Sequence, residues 1–324
     1  MSLCSVGWPG PSLQASATPI EADMKLPHHN RYDYSPITQR RNYDWPQRKR
    51  LAFVVTTNIS WHAFGKGRGH DNAKHGEPQT NRNYSWRDYG NRIGIWRLFD
   101  LADELGIPLA HNTNSALYDY APQILERIRA RPGDEIIAHG RTNSENIHDL
   151  RWEADEARLI REVTDTFTRN EGRAPKGWLS GGSYENPWTV DLLKEAGYTY
   201  LCDWPADDQP FWMRTRSGPI LSVPYPVELN DSPQIIHRQH TGREFCDMIV
   251  DQFEEMFEQS ERAPLVFNVS IHPHTFGYPF RLRPLRVALK HCLSATFQER
   301  LWKCTPGDIA DYCQTLEPGI IPGS

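Results

Sequence analysis

Residues 264–274 read PLVFNVSIHPH, an apolar, β-branched run that opens on Pro264 and ends on two histidines. A short run of this kind between polar boundaries reads as a buried strand of a parallel sheet. The stretch LAFVVTTN at 51–58 has the same character, and shorter versions recur at 107–115 (IPLAHNTNS), 134–140 (DEIIAHG), 176–181 (KGWLSG), 198–204 (YTYLCDW) and 219–225 (PILSVPY). Helical patterns lie between or after them. Ile93, Trp96, Leu98, Leu101 and Leu105 form a stripe that Gly106 stops, and 121–130, 152–172, 189–197 and 283–295 follow suit. The segment 243–259 is the cleanest, with Phe245, Met248, Ile249, Phe253, Met256 and Phe257 at helical spacing. Alternation of strand and helix without a composition break implies parallel strands with crossover helices. About seven such repeats fit an α/β fold of the deformed (β/α) barrel type better than two open sheets.

The remaining sequence bounds the domain. Residues 27–48 are polar, aromatic and Pro-punctuated, and read as an extended N-terminal arm that packs through its Tyr and Trp rings. Residues 1–26 have neither a basic start nor an apolar centre, and read as a flexible leader rather than a signal peptide. The expectation is a single domain over 27–324. A net charge of -5 argues against nucleic acid as partner, and no apolar stretch is long enough for a membrane helix. The six cysteines form no CxxC pair, so buried, reduced thiols and a cytoplasmic location are expected. Eleven tryptophans and the aromatic arm suit an interface between copies, so a homo-oligomer is expected too.

In a parallel barrel, chemistry sits just past the C-terminal ends of the strands. Those positions are Asn58 to His62, Asn112 to Ser115, His139 to Glu145, Ser180 to Glu185, Asp203-Trp204 with Asp207 and Asp208, and His272 to His274. Five of these six segments carry a histidine or a carboxylate, which is what a catalytic cup requires. His139 and His272 each follow an apolar strand, so they can face one another across a shared mouth. Imidazole titrates near neutrality and can hand a proton to a departing nitrogen. Asn143 and Ser144 are neutral donors suited to a polar, uncharged ring, and Trp61, Trp178 and Trp204 are candidates to wall a flat one. GKGRG at 65–69 matches no phosphate loop and reads as part of a lid. FRLRPLR at 280–286 reads as a solvated helix start. There is no GxSxG elbow for serine chemistry.

Several of these segments carry a resemblance. SWRDYGNR, HGRTNSE, GWLSGGSYENPWTVDLLKEAGYTYLCDWPADDQP, VPYPVELND and IHPHTFGYPFRLRPL are similar to the polysaccharide-deacetylase (NodB-type) superfamily, in its allantoinase-like and cyclic-imide-hydrolase-like branch, over roughly residues 30–315. The resemblance implies a deformed barrel and hydrolysis of an amide-type C–N bond. Metal-dependent members place an Asp pair after the first strand and an HxxxH motif after a later one. One Asp acts as base, and the other Asp with the two His holds a divalent ion such as zinc. Here those positions are Asn58 and Ser60, then His139 and Asn143. One imidazole, one amide and one hydroxyl make a poor zinc set, so no cofactor is expected, and a divalent metal on His139, Asn143 and Ser60 is the alternative. The resemblance further implies that His272 protonates the leaving group, that Asp203 of the Asp-Trp motif supports the catalytic groups, and that Glu185 and Trp204 flank the substrate. The Arg of sugar deacetylases is not evident near Gly177-Trp178.

The resulting expectation is an amidohydrolase of a small cyclic amide, imide or ureide, with catalytic His272, His139 and Asp203 and substrate-binding Glu185, Asn143, Ser144, Asn58 and Trp204. A metal-dependent de-N-acetylase of an amino sugar or glycan, and a non-catalytic binding protein on the same barrel, are the alternatives.

Overall fold

The computed structural model describes residues 26, 28–65, 79–145, 147 and 150–324, so the leader at 1–26 and the lid at 65–69 fall almost wholly outside the described residues. The elements lie in the unit Arg31–Ser324. Its strands are β1 (Leu51–Ile59), β2 (Ala110–Thr113), β3 (Glu135–Ala138), β4 (Gly177–Trp178), β5 (Tyr200–Leu201), β6 (Phe211–Met213), β7 (Ile220–Ser222), β8 (Leu265–Ile271) and β9 (Leu301–Lys303). Its helices are α1 (Asn81–Tyr89), α2 (Ile95–Leu105), α3 (Leu117–Tyr120), α4 (Pro122–Arg129), α5 (Glu153–Glu171), α6 (Thr189–Glu195), α7 (Gly242–Gln259), α8 (Pro273–Phe276), α9 (Pro279–Cys292) and α10 (Pro306–Cys313).

The sheet runs β6-β7-β5-β4-β3-β2-β1-β8, and β9 adds to the start of β1. All pairings are parallel except β6 with β7. The seven strands read from the sequence are the staves of a deformed (β/α) barrel. The seam between β7 and β8 has no strand ladder. It is closed by an isolated bridge between Asn230 and Ser270 and by Val266 N–H donating to the Asp208 carbonyl at 2.9 Å.

Strand side chains alternate between the two faces of a sheet, and this alternation sorts the core. Ala52, Val54, Ala110, Ile137, Cys202, Val223 and Val266 pack inside the barrel, where Ile309 and Cys313 of α10 join them. Trp45 of the arm is fully buried in the same cluster and donates Nε1–H to the Leu265 carbonyl at 3.1 Å. Phe53, Val55 and Phe267 face outward against α2, α7 and α9. Trp178, Leu201 and Ile220 face outward against α5 and α6.

Three sequence expectations need correction. Ile93 is 40% exposed and does not belong to the helical stripe. Residues Gly90–Gly94 form a π-turn between α1 and α2, and the wider turn rotates the face that a 3.6-residue period would assign. Met248 is only partly buried at the edge of its cluster. Finally, β6 and β9, of three residues each, and α10, which opens on a Thr305–Asp308 capping box, are elements beyond those read from the sequence. Cys202, Cys246, Cys292, Cys304 and Cys313 are free and buried, and burial raises their thiol pKa values, to about 12 for Cys246, Cys292 and Cys313.

Candidate active site

The inward positions of β8 are Val266, Asn268 and Ser270, and the next position of that face is His272. Its Nδ1 lies 2.6 Å from Oδ1 of Asp231, a carboxylate with no solvent exposure. The same carboxylate accepts the His272 backbone N–H at 2.9 and 3.0 Å. A carboxylate against Nδ1 fixes the ring's orientation and tautomer and leaves Nε2 on the opposite edge of the ring. Asp231 was missed in the sequence. It lies 41 residues before its partner, at the N-cap of a short π-helical turn, Ser232–His237.

On β3 the inward face runs Glu135, Ile137, His139. Nδ1 of His139 is 2.7 Å from the Leu179 carbonyl oxygen. A carbonyl only accepts, so Nδ1 carries the hydrogen, and Nε2 of the neutral ring carries the lone pair. On β1 the inward face ends at Asn58 and Ser60. Asn58 donates from Nδ2 to Ser270 Oγ at 2.8 Å, and its Oδ1 accepts from Asn112 at 2.9 Å and from Tyr225 at 3.0 Å. The Tyr225 hydroxyl also meets Ser270 Oγ at 2.7 Å. Ser60 Oγ accepts from Asn143 Nδ2 at 2.7 Å, and Asn143 Oδ1 accepts from Asn114 at 3.1 Å.

These donors do not fit the divalent ion that the family's metal-dependent members hold. Asn58 is neutral and already bonded through both amide atoms. Asn143 and Ser60 are neutral and bonded to each other. Of these four residues His139 is the one good ligand, and none of the other three is an anion that would balance the ion. Among the described residues, no three His, Cys, Asp or Glu side chains come together as a metal-binding group.

Asn58, Ser60, His139, Asn143 and His272 all line one cavity of about 340 Å³ at the C-terminal end of the barrel, within the size range of small-molecule pockets. His62, Arg87 and His274 line it too. His274 is buried, with its ring edge-on to Trp86 at 4.8 Å and 5.5 Å from the ring of His272. Burial, followed by the charges of His272, His62 and Arg87, pushes its pKa well below the usual imidazole value, so it stays neutral. The backbone that carries His272 and His274 is pressed against the π-turn. A Cβ on Gly90 would come within 2.7 Å of the His274 backbone nitrogen, and one on Gly94 would overlap the Pro273 carbonyl. Glycine at 90 and 94 is therefore the condition for the α1–α2 junction to support this corner of the mouth.

The other expected site residues are not in the cavity lining. On β5, Leu201 faces out and Cys202 faces in, so Asp203 turns away from the interior. It accepts Ser180 N–H at 2.7 Å and Ser180 Oγ–H at 2.9 Å, and so braces the loop after β4. Burial raises its pKa to about 7. Glu185 accepts Trp204 Nε1–H at 2.8 Å. Burial and then the charge of Asp203 raise its pKa well above the ordinary range, so Glu185 keeps the proton the two carboxyls share. Buried Glu156 of α5 holds this loop in place, accepting from Asn186 and Trp188 at 2.7 Å each and from Thr189. Ser144 Oγ accepts Ala63 N–H at 2.8 Å. Trp61 stacks on Tyr120, Trp178 packs on Tyr198, and Trp204 meets Tyr32, so none of the three walls the cavity. The 280–286 run is part of α9, as expected for a helix start.

The fold and site together are a seven-stave barrel with a carboxylate-oriented histidine at its mouth, lining one cavity with a second histidine. No family model matches the sequence. The chain is 23% identical over 248 residues, 71% of its length and 76% of the relative's, to a Schizosaccharomyces pombe protein named "Putative polysaccharide deacetylase". Among solved structures it is similar to the Puue allantoinase, with a TM-score of 0.74 and 25% identity over 85% of this chain and 93% of that one. A Pseudomonas aeruginosa PAO1 structure titled a probable polysaccharide deacetylase shares the fold, with a TM-score of 0.74 and 24% identity over 85% and 94% of the two chains. These likenesses support the NodB-type polysaccharide-deacetylase superfamily for this chain.

Proposed function

We propose that this protein hydrolyses a C–N bond of a small cyclic amide, imide or ureide. The observation that carries the reading is the His272–Asp231 pair at 2.6 Å, set in the cavity that His139 also lines. The likeness to an allantoinase supports it. So does the cavity, whose volume of about 340 Å³ suits a small ring better than a glycan chain.

In this mechanism Nε2 of His139 takes a proton from water as the water oxygen attacks the ring carbonyl carbon. The tetrahedral intermediate collapses with cleavage of the C–N bond. His272 delivers its Nε2 proton to the departing nitrogen, and Asp231 balances the charge the ring carries while protonated. The products are a carboxylate and the freed amine or ureido nitrogen. Asn58, Ser60 and Asn143 hold the ring through hydrogen bonds, since a buried polar ligand atom left unpaired is penalised.

The test is turnover of hydantoin, dihydrouracil, succinimide and allantoin by the intact protein and by His272→Ala. The reading expects hydrolysis of at least one ring and its collapse in the variant with the fold retained. Undiminished turnover by the variant removes His272 from the mechanism. Hydrolysis of N-acetylated sugars alone, lost with a chelator, replaces this reading with the deacetylase one. Ligand binding without turnover of any of these compounds replaces it with the binding-protein one.

A further inference from the structure

The two histidines of the mouth are held differently. Asp231 touches the His272 ring directly, whereas Nδ1–H of His139 meets a neutral carbonyl, that of Leu179, at 2.7 Å. That carbonyl and the Ser180 N–H are the two ends of one peptide group. The Ser180 N–H donates to Oδ1 of Asp203 at 2.7 Å. In a planar trans peptide the two ends point opposite ways, so His139 and Asp203 flank one and the same peptide. His139, Leu179, Ser180 and Asp203 are each 5% exposed or less.

The neighbouring hydrogens define the charge. Trp178 Nε1–H, a donor only, gives its hydrogen to Ser180 Oγ at 2.9 Å, so the Ser180 hydroxyl hydrogen goes to Oδ2 of Asp203, also at 2.9 Å. Both oxygens of Asp203 therefore accept, as those of an ionised carboxylate do. Among the described residues no donor reaches the buried Oε1 of Glu185, and Glu185 and Asp203 are hydrogen-bonded to each other. A carboxyl that keeps its proton donates it to an ionised neighbour, so Glu185 supports the charge on Asp203.

We propose that Asp203 is a positioning residue for His139 that acts through the Leu179–Ser180 peptide. It fixes that peptide and polarises its carbonyl, so that His139 is held as the Nδ1–H tautomer and its ring is a stronger proton acceptor. This deepens the hydrolase reading, and rests on it for the kinetics but not for the relay itself. A charged acceptor at the N–H end of an amide pushes electron density toward the amide oxygen, and hydrogen bonds in such a chain strengthen one another. A carboxylate in direct contact favours the protonated ring, as suits an acid. A carboxylate one peptide away orients the ring without setting a full charge against it, as suits a base.

The experiment reads the His139 ring and the Ser180 amide by NMR in the isotopically labelled full chain, at a pH above the Asp203 value of about 7. The wild type is expected to show His139 as the Nδ1–H tautomer and the Ser180 amide proton far downfield. An Nε2–H tautomer or an unshifted amide overturns the inference. Asp203→Asn is expected to move the His139 Nδ1–H signal upfield, and Ser180→Ala, which keeps the N–H, to leave it in place. No movement in Asp203→Asn overturns the inference. So does equal movement in Ser180→Ala, which would report a loosened loop rather than a relayed charge. Should Asp203→Asn not fold, Ser180→Pro decides by the same signal: Ser180 has a φ of -70°, which proline adopts, and the substitution deletes the donor hydrogen. On any ring the protein hydrolyses, Asp203→Asn is expected to lower kcat at least about tenfold with KM little changed, and to add nothing to the loss in His139→Gln. An unchanged kcat overturns the inference. A shifted signal in a protein that hydrolyses none of the rings sustains the relay while the hydrolase reading fails.

Discussion

Oδ1 of Asp231 lies 2.6 Å from Nδ1 of His272, and the two oxygens of that carboxylate also accept the backbone N–H of the same histidine. One buried side chain thus sets both the position of the residue and the orientation of its ring. Asp231→Asn keeps the size but weakens the ring contact. It is expected to lower kcat by up to about 10⁴-fold with the fold preserved, the loss seen when a triad Asp is amidated. The double variant with His272→Ala should lose no more than His272→Ala alone, as steady-state kinetics on any hydrolysed ring would show.

His139 has its Nδ1–H committed to the Leu179 carbonyl. His139→Gln is expected to cut kcat by about 10²–10⁴-fold, the usual worth of a general base, with a smaller effect on KM. A variant with raised KM and unchanged kcat would show that His139 binds rather than activates.

The neutral, mutually bonded set of Asn58, Ser60 and Asn143 leads to a prediction about metal. Dialysis against a chelator is expected to leave kcat unchanged, and added zinc is expected not to raise it. Loss with chelator and recovery with zinc would return the deacetylase mechanism to first place.

A Cβ on Gly90 would approach the His274 backbone nitrogen to 2.7 Å. Gly90→Ala is expected to cost about 1–3 kcal/mol of stability, as overpacking does, and to reduce activity because the segment bearing His272 must move. Denaturant unfolding and kinetics on the same preparation check both parts.

Burial, aided by neighbouring positive charge, holds His274 neutral in the folded protein with a pKa well below 6.5. Below pH 6.5 the unfolded chain binds a proton that the folded one refuses. The contribution of this residue to stability is therefore full above that pH and declines as pH falls, by up to about 1.4 kcal/mol per pH unit. His274→Asn should flatten the acid limb of a stability–pH curve.

Glu185 and Asp203 act in the opposite sense. Burial raises both above their ordinary values of 4.5 and 3.8, Asp203 to about 7. Above the ordinary values the unfolded chain releases protons that the folded protein retains, so stability declines as pH rises toward neutrality. Glu185→Gln should weaken that decline, measured as the midpoint of denaturation between pH 4 and 8.

Much of the site was legible because strand side chains alternate. Reading two residues at a time along 266–272, 135–139 and 52–60 arrives at His272, His139, Asn58 and Ser60, and these do line one cavity. The same rule, applied to 201–203, would have turned Asp203 away from the interior. The Asp-Trp motif by itself carries no information about parity. Trp61, Trp178 and Trp204 could not be sorted by type alone, since an indole serves a core as well as a ligand wall. Asp231 and Arg87 both lie in segments that carry the resemblance, VPYPVELND and SWRDYGNR, but nothing local to either segment shows that its side chain reaches the barrel mouth.

By itself the sequence determined seven of the strands, the main helices between them, and the parallel character of the sheet, together with most of the side chains that point inward at the strand ends. Those properties follow from local backbone sterics and from apolar spacing, both of which act over a few residues. Only the tertiary structure decided that Asp231 meets His272, that the π-turn glycines support that corner, and that Arg87 enters the cavity. Each of these depends on how the barrel closes and where its loops come to rest, and long-range packing governs both.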